Sequence, residues 1–301
     1  MKIYEFCPFF NENRVADIKV RENASWIDEL HVVEANKTFS YADKPYNFNQ
    51  AHVGPKVIYH PIQADHLFHK PNKHQLYFNP LTCKEVNFER WYWRLLSYNS
   101  AFHNEAYQRN MCTLLLRERV ADNDVIILAD FDEIIDSRWV DRIVTEVKRR
   151  QIITVKMHYS AFFLNLFCSS NHGAPHWSYR VFAMTGRYFK SMPFSSDYLR
   201  KKGIAEALRH EIYCLDEPAG FHHSWLDYQK NALPKLQAFA ANVKDKSMVH
   251  ADYIQQCLND KKLYYLDSEL YVDDQKPFLN ALQHVQVEDL WYKIDTIVKA
   301  T

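Results

Sequence analysis

The chain has 301 residues, a length that suits one large domain or two small ones, and 47% of them are hydrophobic, enough for a sizeable core. Its 37 Lys and Arg balance 37 Asp and Glu, so no basic excess points to nucleic acid or an anionic membrane surface as the main partner. Six cysteines (Cys7, Cys83, Cys112, Cys168, Cys214 and Cys257) are scattered without a CxxC pair, which excludes a zinc ribbon or a disulfide framework and predicts free thiols.

Residues 2–6 read as a short strand, 15–23 as a helix, 29–35 as a second strand and 56–62 as a third. Residues 103–120 read as a helix with Leu114, Leu115 and Leu116 on its later turns. The run 125–129 is apolar throughout and follows Asp122, Asn123 and Asp124, the pattern of a strand buried on both faces. A helix over 138–149 and a strand over 152–157 follow. This rhythm predicts an α/β fold with a mostly parallel central sheet and helices on both faces. A strand at 179–184 and helices at 228–242 and 250–259 are expected to complete the same unit. The basic runs Lys148-Arg149-Arg150 and Arg200-Lys201-Lys202 read as solvated helix ends. No apolar run is long enough to span a bilayer and no signal peptide is evident, so the chain is expected to be soluble and cytoplasmic, with no integral membrane segment.

Only 5 glycines are present, and neither GxGxxG nor GxxxxGK occurs, so a nucleotide must be held by something other than a glycine-rich loop. The sharpest feature is the segment Asp130-Phe131-Asp132-Glu133 directly after the apolar run. Residues two apart in an extended chain face the same way, which predicts that Asp130 and Asp132 point together from the C-terminal end of a strand. That edge is where open α/β sheets bind ligands. Paired carboxylates there repel unless a cation intervenes, and oxygen ligands suit Mg²⁺ or Mn²⁺ bridging to a diphosphate, where the metal acts as a Lewis acid for the leaving group.

Three other readings compete. One is a solvated acidic loop. The second is a haloacid-dehalogenase-like phosphohydrolase, in which the first Asp is a nucleophile and the second an acid. That motif normally has Thr or Val where Ile134 stands, and opens near the N-terminus rather than at mid-chain. The third is a non-catalytic glycan-binding protein, which needs no paired carboxylates at a strand end. Trp91, Trp93, Trp177 and Trp225 are available to stack on sugars or to fill the core.

Several short motifs, in order over about residues 1 to 240, resemble glycosyltransferase family 17, which includes the enzymes that add the bisecting β-1,4-N-acetylglucosamine to N-glycans. They are Phe10-Asn11-Glu12, Val33-Glu34 with Thr38-Phe39, Lys44-Pro45, Glu105-Ala106-Tyr107-Gln108-Arg109-Asn110, the segment from Asp124 to Ile134, and Gly220-Phe221-His222-His223-Ser224, followed by Lys235 and Phe239. The chain departs from the family's pattern at Arg14, Lys19, Ile135, Phe221, Ala240 and Ala241.

The resemblance implies a GT-A-like single domain over 1–301, with a nucleotide-sugar half at 1–160 and an acceptor half at 161–301. It implies metal-dependent, inverting transfer of a sugar, N-acetylglucosamine from UDP-GlcNAc, to a glycan acceptor. Asp130, Asp132 and His222 are the expected ligands of Mn²⁺ or Mg²⁺, and Asn11, Glu12, Glu34, Arg109 and Asp130 the expected donor-binding residues. Inversion needs a general base, for which Glu211, Asp216 and Glu217 lie nearest to His222 in sequence.

Overall fold

A computed structural model describes residues 1–68, 100–170, 173–192, 196–197, 199–200, 211–238 and 252–293. Cys83, Trp91, Trp93, Lys201 and Lys202 lie outside them. The other five cysteines are free thiols.

The first half alternates strand and helix. Strands β1 (Ile3–Phe9), β2 (Glu29–Ala35), β3 (Val57–Ile62) and β4 (Val125–Leu128) lie side by side in the order β3-β2-β1-β4, all parallel. Their registers are fixed by pairs such as Phe6 with His31 and Phe6 with Leu128. Helix α1 (Asn13–Asn23) follows β1, α2 (Ser100–Leu116) precedes β4, and α3 (Val140–Arg150) follows the short strand β5 (Glu133–Ile135). The last turn of α3 carries Lys148, Arg149 and Arg150, exposed as expected and complementary to the negative end of the helix.

Beyond β4 the direction changes. Strand β6 (Ile152–Ala161) is longer than its apolar run because Lys156, His158 and Ser160 alternate with Met157, Tyr159 and Ala161, the period of a strand. Strand β8 (Trp177–Thr185) lies antiparallel between β4 and β6, while β7 (Leu166–Ser169) folds back onto β6. Strand β9 (Tyr213–Cys214) and strand β10 (Gly220–Ser224) pair with β6 in parallel. Strand β12 (Ser268–Val272) adds to β7, and β11 (Lys262–Leu263) to β12. The described strands thus form one mixed sheet, with β1 to β4 all parallel and further parallel pairs of β9 and β10 with β6.

Helices cover both faces, as the α/β reading requires. On one face Ala16 of α1 and Val140, Ile143 and Val147 of α3 pack with Cys7, Ile127 and Val155. On the other, Cys112 and Leu116 of α2 and Phe189 of α4 (Gly186–Ser191) pack with Phe6, Ile126 and Phe182. Helix α5 (Tyr228–Ala238) follows β10, and α6 (Asp252–Asn259) buries Tyr253, Ile254, Cys257 and Leu258 against β6 and β7. No helix among the described residues is long and apolar enough to cross a membrane.

Candidate functional site

The carboxylate segment is a turn, not the end of an extended strand. Strand β4 stops at Leu128, and the Glu133 amide donates to the Asp130 carbonyl at 3.1 Å, closing a tight reversal into β5. Phe131 anchors the turn from within, edge-on to Phe9 with centroids 5.1 Å apart. From α1, the buried Lys19 ammonium reaches the Glu133 carbonyl and pairs with Glu5 at 2.7 Å. Because the backbone turns, Asp130 and Asp132 are not side by side on one strand face, although both border one small cavity. They face different partners.

Asp130 faces α2. Arg109 engages both of its oxygens, and Arg200 adds a further bond. Arg200 is also forked onto Glu133, both bonds at 3.0 Å, and Arg109 is held by Glu105 one turn earlier on α2. Burial alone would raise the Asp130 pKa, but the two guanidinium groups overcome it and hold the carboxyl well below the usual carboxylate range. Asn110 fixes the segment that brings Arg200 in: its side-chain oxygen accepts from the Ser196 hydroxyl at 3.0 Å and the Asp197 amide at 3.1 Å. Arg200 was expected at a solvated helix end. It is 8% exposed because two carboxylates, Asp130 and Glu133, need a buried counter-charge.

Asp132 faces β10 and α5. Strand β10 reaches it because β5 and β10 pair antiparallel, with His222 opposite Glu133 and the His223 amide donating to the Asp132 carbonyl at 2.8 Å. Gly220 permits that approach, since a Cβ there would stand 2.3 Å from the Ile134 carbonyl oxygen. His222 and His223 then point to opposite faces. His223 is buried against Phe221 and shares a 2.6 Å hydrogen bond with Ser160. His222 places Nε2 3.6 Å from Asp132 Oδ1.

The polar network around His222 sets its tautomer. Tyr159 donates to Ser224 at 2.8 Å, which leaves the Ser224 proton for His222 Nε2 at 3.2 Å and puts the ring N–H on Nδ1, toward Ser178 at 3.1 Å. Burial lowers the His222 pKa despite Asp132 and Glu133, favouring a neutral imidazole. Asp132 is held below its ordinary value, with burial opposing and the Lys235 ammonium prevailing.

A neutral imidazole nitrogen and a carboxylate oxygen at 3.6 Å suit neighbouring ligands of one divalent cation, whose bonds of about 2.1 Å at a right angle set their ends about 3 Å apart. The local charge points the same way. Among the described residues, Glu12, Glu105, Asp130, Asp132, Glu133 and Asp197 oppose Arg109, Arg180, Arg200 and Lys235, an excess of two negative charges. Asp132 and His222 therefore fit a divalent metal. Asp130, expected as a third ligand, is committed to its arginines, and among the described residues no group of three or more His, Cys, Asp or Glu gathers at one metal position.

The expected donor-binding residues divide. Arg109, Glu12 and Asp130 line a cavity of about 70 Å³ with Phe9, Phe10, Phe39, Glu105, Asp132 and Lys235. Asn11 contributes its backbone amide to Glu12. Glu34 is not at the cavity. Fully buried, it accepts from Lys44, from the Asn47 and Phe48 amides at 2.7 and 3.0 Å, and from the Tyr59 hydroxyl at 2.8 Å, so it organises the loop after β2.

The three acids expected as general base are exposed and elsewhere. Asp216 and Glu217 border an open groove of about 860 Å³ with Trp139 and Phe221, on the face of β10 opposite to His222. Glu211 borders a second groove with Arg150 and Tyr213. All three are near His222 in sequence, but the chain over 211–217 runs along the grooves and enters β10 only at Gly220. Trp225 stacks on Phe162 at 5.6 Å, and Trp177 packs beside His158. Sequence reasoning missed Arg200 and gave Lys235 no role. The only signal for either was its place in a basic run or after the His222 motif.

No family model matches the chain, and no curated protein does. Among solved structures, S. aureus TarS 1-349 is 10% identical over 86% of this chain and 72% of its own, with a TM-score of 0.37. Glucosyl-3-phosphoglycerate synthase from Mycobacterium tuberculosis, in complex with Mn²⁺, uridine diphosphate and phosphoglyceric acid, is 11% identical over 90% of this chain and 86% of its own, with a TM-score of 0.38. A 4-diphosphocytidyl-2C-methyl-D-erythritol synthase is 11% identical over 68% of this chain and 85% of its own, with a TM-score of 0.32. Likeness at this level carries no functional conclusion.

Proposed function

We propose that this protein is a metal-dependent glycosyltransferase of the GT-A type, transferring a sugar from a nucleoside-diphosphate donor to a glycan acceptor. The observation that carries the reading is the pairing of Asp132 with His222 beside a small, aromatic-lined cavity at the C-terminal edge of the parallel half-sheet. The motif resemblance to family 17 supplies the finer reading of UDP-GlcNAc as donor and inversion as the outcome.

In this reading Asp132 and His222 hold the divalent cation, which supplies Lewis-acid stabilisation of the leaving diphosphate when bound. Arg109 and Arg200 hold Asp130, and through it the turn, in one conformation. Phe9, Phe10 and Phe39 offer an apolar wall to the donor. Glu105 is the base in place of Glu211, Asp216 and Glu217. It lines the cavity, and one of its oxygens has no partner among the described residues while the other is held by Arg109. The phosphohydrolase reading needs Asp130 as a free nucleophile, whereas both Asp130 oxygens are engaged by guanidinium groups.

Calorimetric titration with UDP, GDP and CMP, each with and without Mn²⁺, tests the reading. Mn²⁺-dependent binding of UDP, lost in Asp132→Asn with the fold intact, is expected. Tight binding of GDP or CMP and none of UDP would refute the donor, and wild-type binding in Asp132→Asn would refute the metal role.

A further inference from the structure

Lys235 stands on α5 with its ammonium 2.8 Å from Asp132 Oδ2 and 2.9 Å from Glu12 Oε1. Glu12 is fixed from behind, its other oxygen accepting the Phe10 and Asn11 amides at 2.9 and 3.0 Å. The lysine is largely buried, yet it borders the cavity shared by Arg109, Asp130 and Asp132. Asp132 thus offers one oxygen to Lys235 and turns the other toward His222.

Two kinds of cation are set around these carboxylates. Arg109 and Arg200 are forked onto Asp130 and Glu133 and locked by geometry. Lysine is different: a compact charge on a flexible stem, able to change partners without losing a bidentate fit. A divalent cation on Asp132 Oδ1 makes Oδ2 a weaker acceptor and repels the nearby ammonium, while a diphosphate brings new anionic oxygens into the same cavity.

We infer that Lys235 is an exchangeable counter-ion. It neutralises Asp132 and Glu12 before the donor arrives, and it moves to the diphosphate once metal and nucleotide bind. The inference rests on the nucleoside-diphosphate site proposed above.

It predicts two effects of opposite sign from one substitution. In Lys235→Met the carboxylates lose their internal cation, so Mn²⁺ alone meets a more negative site and binds more tightly. UDP in saturating Mn²⁺ loses a charged contact and binds more weakly. Each change is expected to be about tenfold, the worth of a hydrogen bond to a charged group. A lysine that merely supports the fold would weaken both ligands together, and one that contacts only phosphate would leave Mn²⁺ binding unchanged.

The test is calorimetry on the full chain, with Mn²⁺ alone and then with UDP in saturating Mn²⁺, for wild type, Lys235→Met and Lys235→Arg. Lys235→Met should tighten Mn²⁺ and weaken UDP, whereas Lys235→Arg, which keeps the charge but forks onto the carboxylates, should leave Mn²⁺ near wild type and still weaken UDP. Mn²⁺ binding that is unchanged or weaker in Lys235→Met overturns the inference, as does undiminished UDP binding. If Lys235→Met does not fold, the Glu12→Gln/Lys235→Met double variant relieves the excess charge. It should still bind UDP about tenfold more weakly than Glu12→Gln alone, and equal affinities overturn the inference. A wild type that binds neither Mn²⁺ nor UDP fails differently: the proposed function falls first, and this inference with it.

Discussion

Lys19 offers the sharpest test of how the site is supported. Its side chain and that of Glu5 are 0% and 1% exposed, and they pair at 2.7 Å beneath the Asp130–Glu133 turn. Replacing Lys19 by Met leaves Glu5 a buried carboxylate with only the Asn23 amide as a partner among the described residues, and leaves the Glu133 carbonyl without its ammonium donor. Removing one partner of a buried pair costs about 3–5 kcal/mol, and the lost carbonyl bond places this case near the middle, about 4 kcal/mol. At about 2–4 °C per kcal/mol for a chain of this size, the melting temperature should fall by roughly 10 °C.

Urea unfolding at pH 7 measures the loss directly, and the slope of the transition should stay unchanged. Burial works against the Lys19 ammonium, but the Cys7 sulfur and Glu5 outweigh it, so its pKa is raised above 10.5. The pair's contribution is therefore fully present below pH 10.5 and is lost only as pH rises through the higher folded-state value, so neutral pH reports all of it. Glu5→Gln/Lys19→Met removes both charges and should cost much less, about 1–2 kcal/mol. A single variant within about 1 kcal/mol of wild type, or a double variant as unstable as the two singles added, would refute the pairing argument.

Other substitutions separate site from scaffold. His222→Ala and His223→Ala should each lower stability by about 2 kcal/mol, because both rings are buried, packed on an aromatic neighbour and hydrogen-bonded, but only His222→Ala should also weaken Mn²⁺-dependent UDP binding, by about tenfold or more. Glu34→Ala should cost about 3 kcal/mol and speed amide exchange at Asn47 and Phe48, since it strips a buried Lys44 of its partner. Unchanged exchange there would contradict that role. His158 has its pKa pushed down from 6.5 to about 4, chiefly by burial and then by Lys276. The unfolded chain takes up a proton first, so stability should fall as pH drops from about 6.5 toward 4, by about 1–2 kcal/mol once solvent screening of the half-buried ring is allowed for, and His158→Gln should show a shallower acid limb in pH-dependent urea unfolding. Identical slopes in the two proteins would rule it out.

The strands that read most clearly in sequence were those whose pattern is local. The apolar run of β4 needed no partner to be recognised, because burial on both faces leaves a continuous hydrophobic segment. Strands β7, β10 and β12 are short and mixed, and they exist through pairing with β6 or with each other, so nothing within five residues announces them.

The same division runs through the site. The sequence was sufficient to mark Asp130 and Asp132 at the end of a buried strand, to set His222 in a separate motif, and to single out Arg109, because residue type and local order carry those signals. It could not show that the backbone turns between the two aspartates, sending Asp130 to Arg109 and Arg200 and Asp132 to His222 and Lys235. Nor could it exclude Glu211, Asp216 and Glu217 from the cavity. Those outcomes rest on contacts between residues 21 to 103 positions apart and on the course of the chain over 211–217, which borders other grooves. Long-range pairing of charges, driven by the cost of burying any one of them alone, is a property of the folded chain and leaves no local pattern to read.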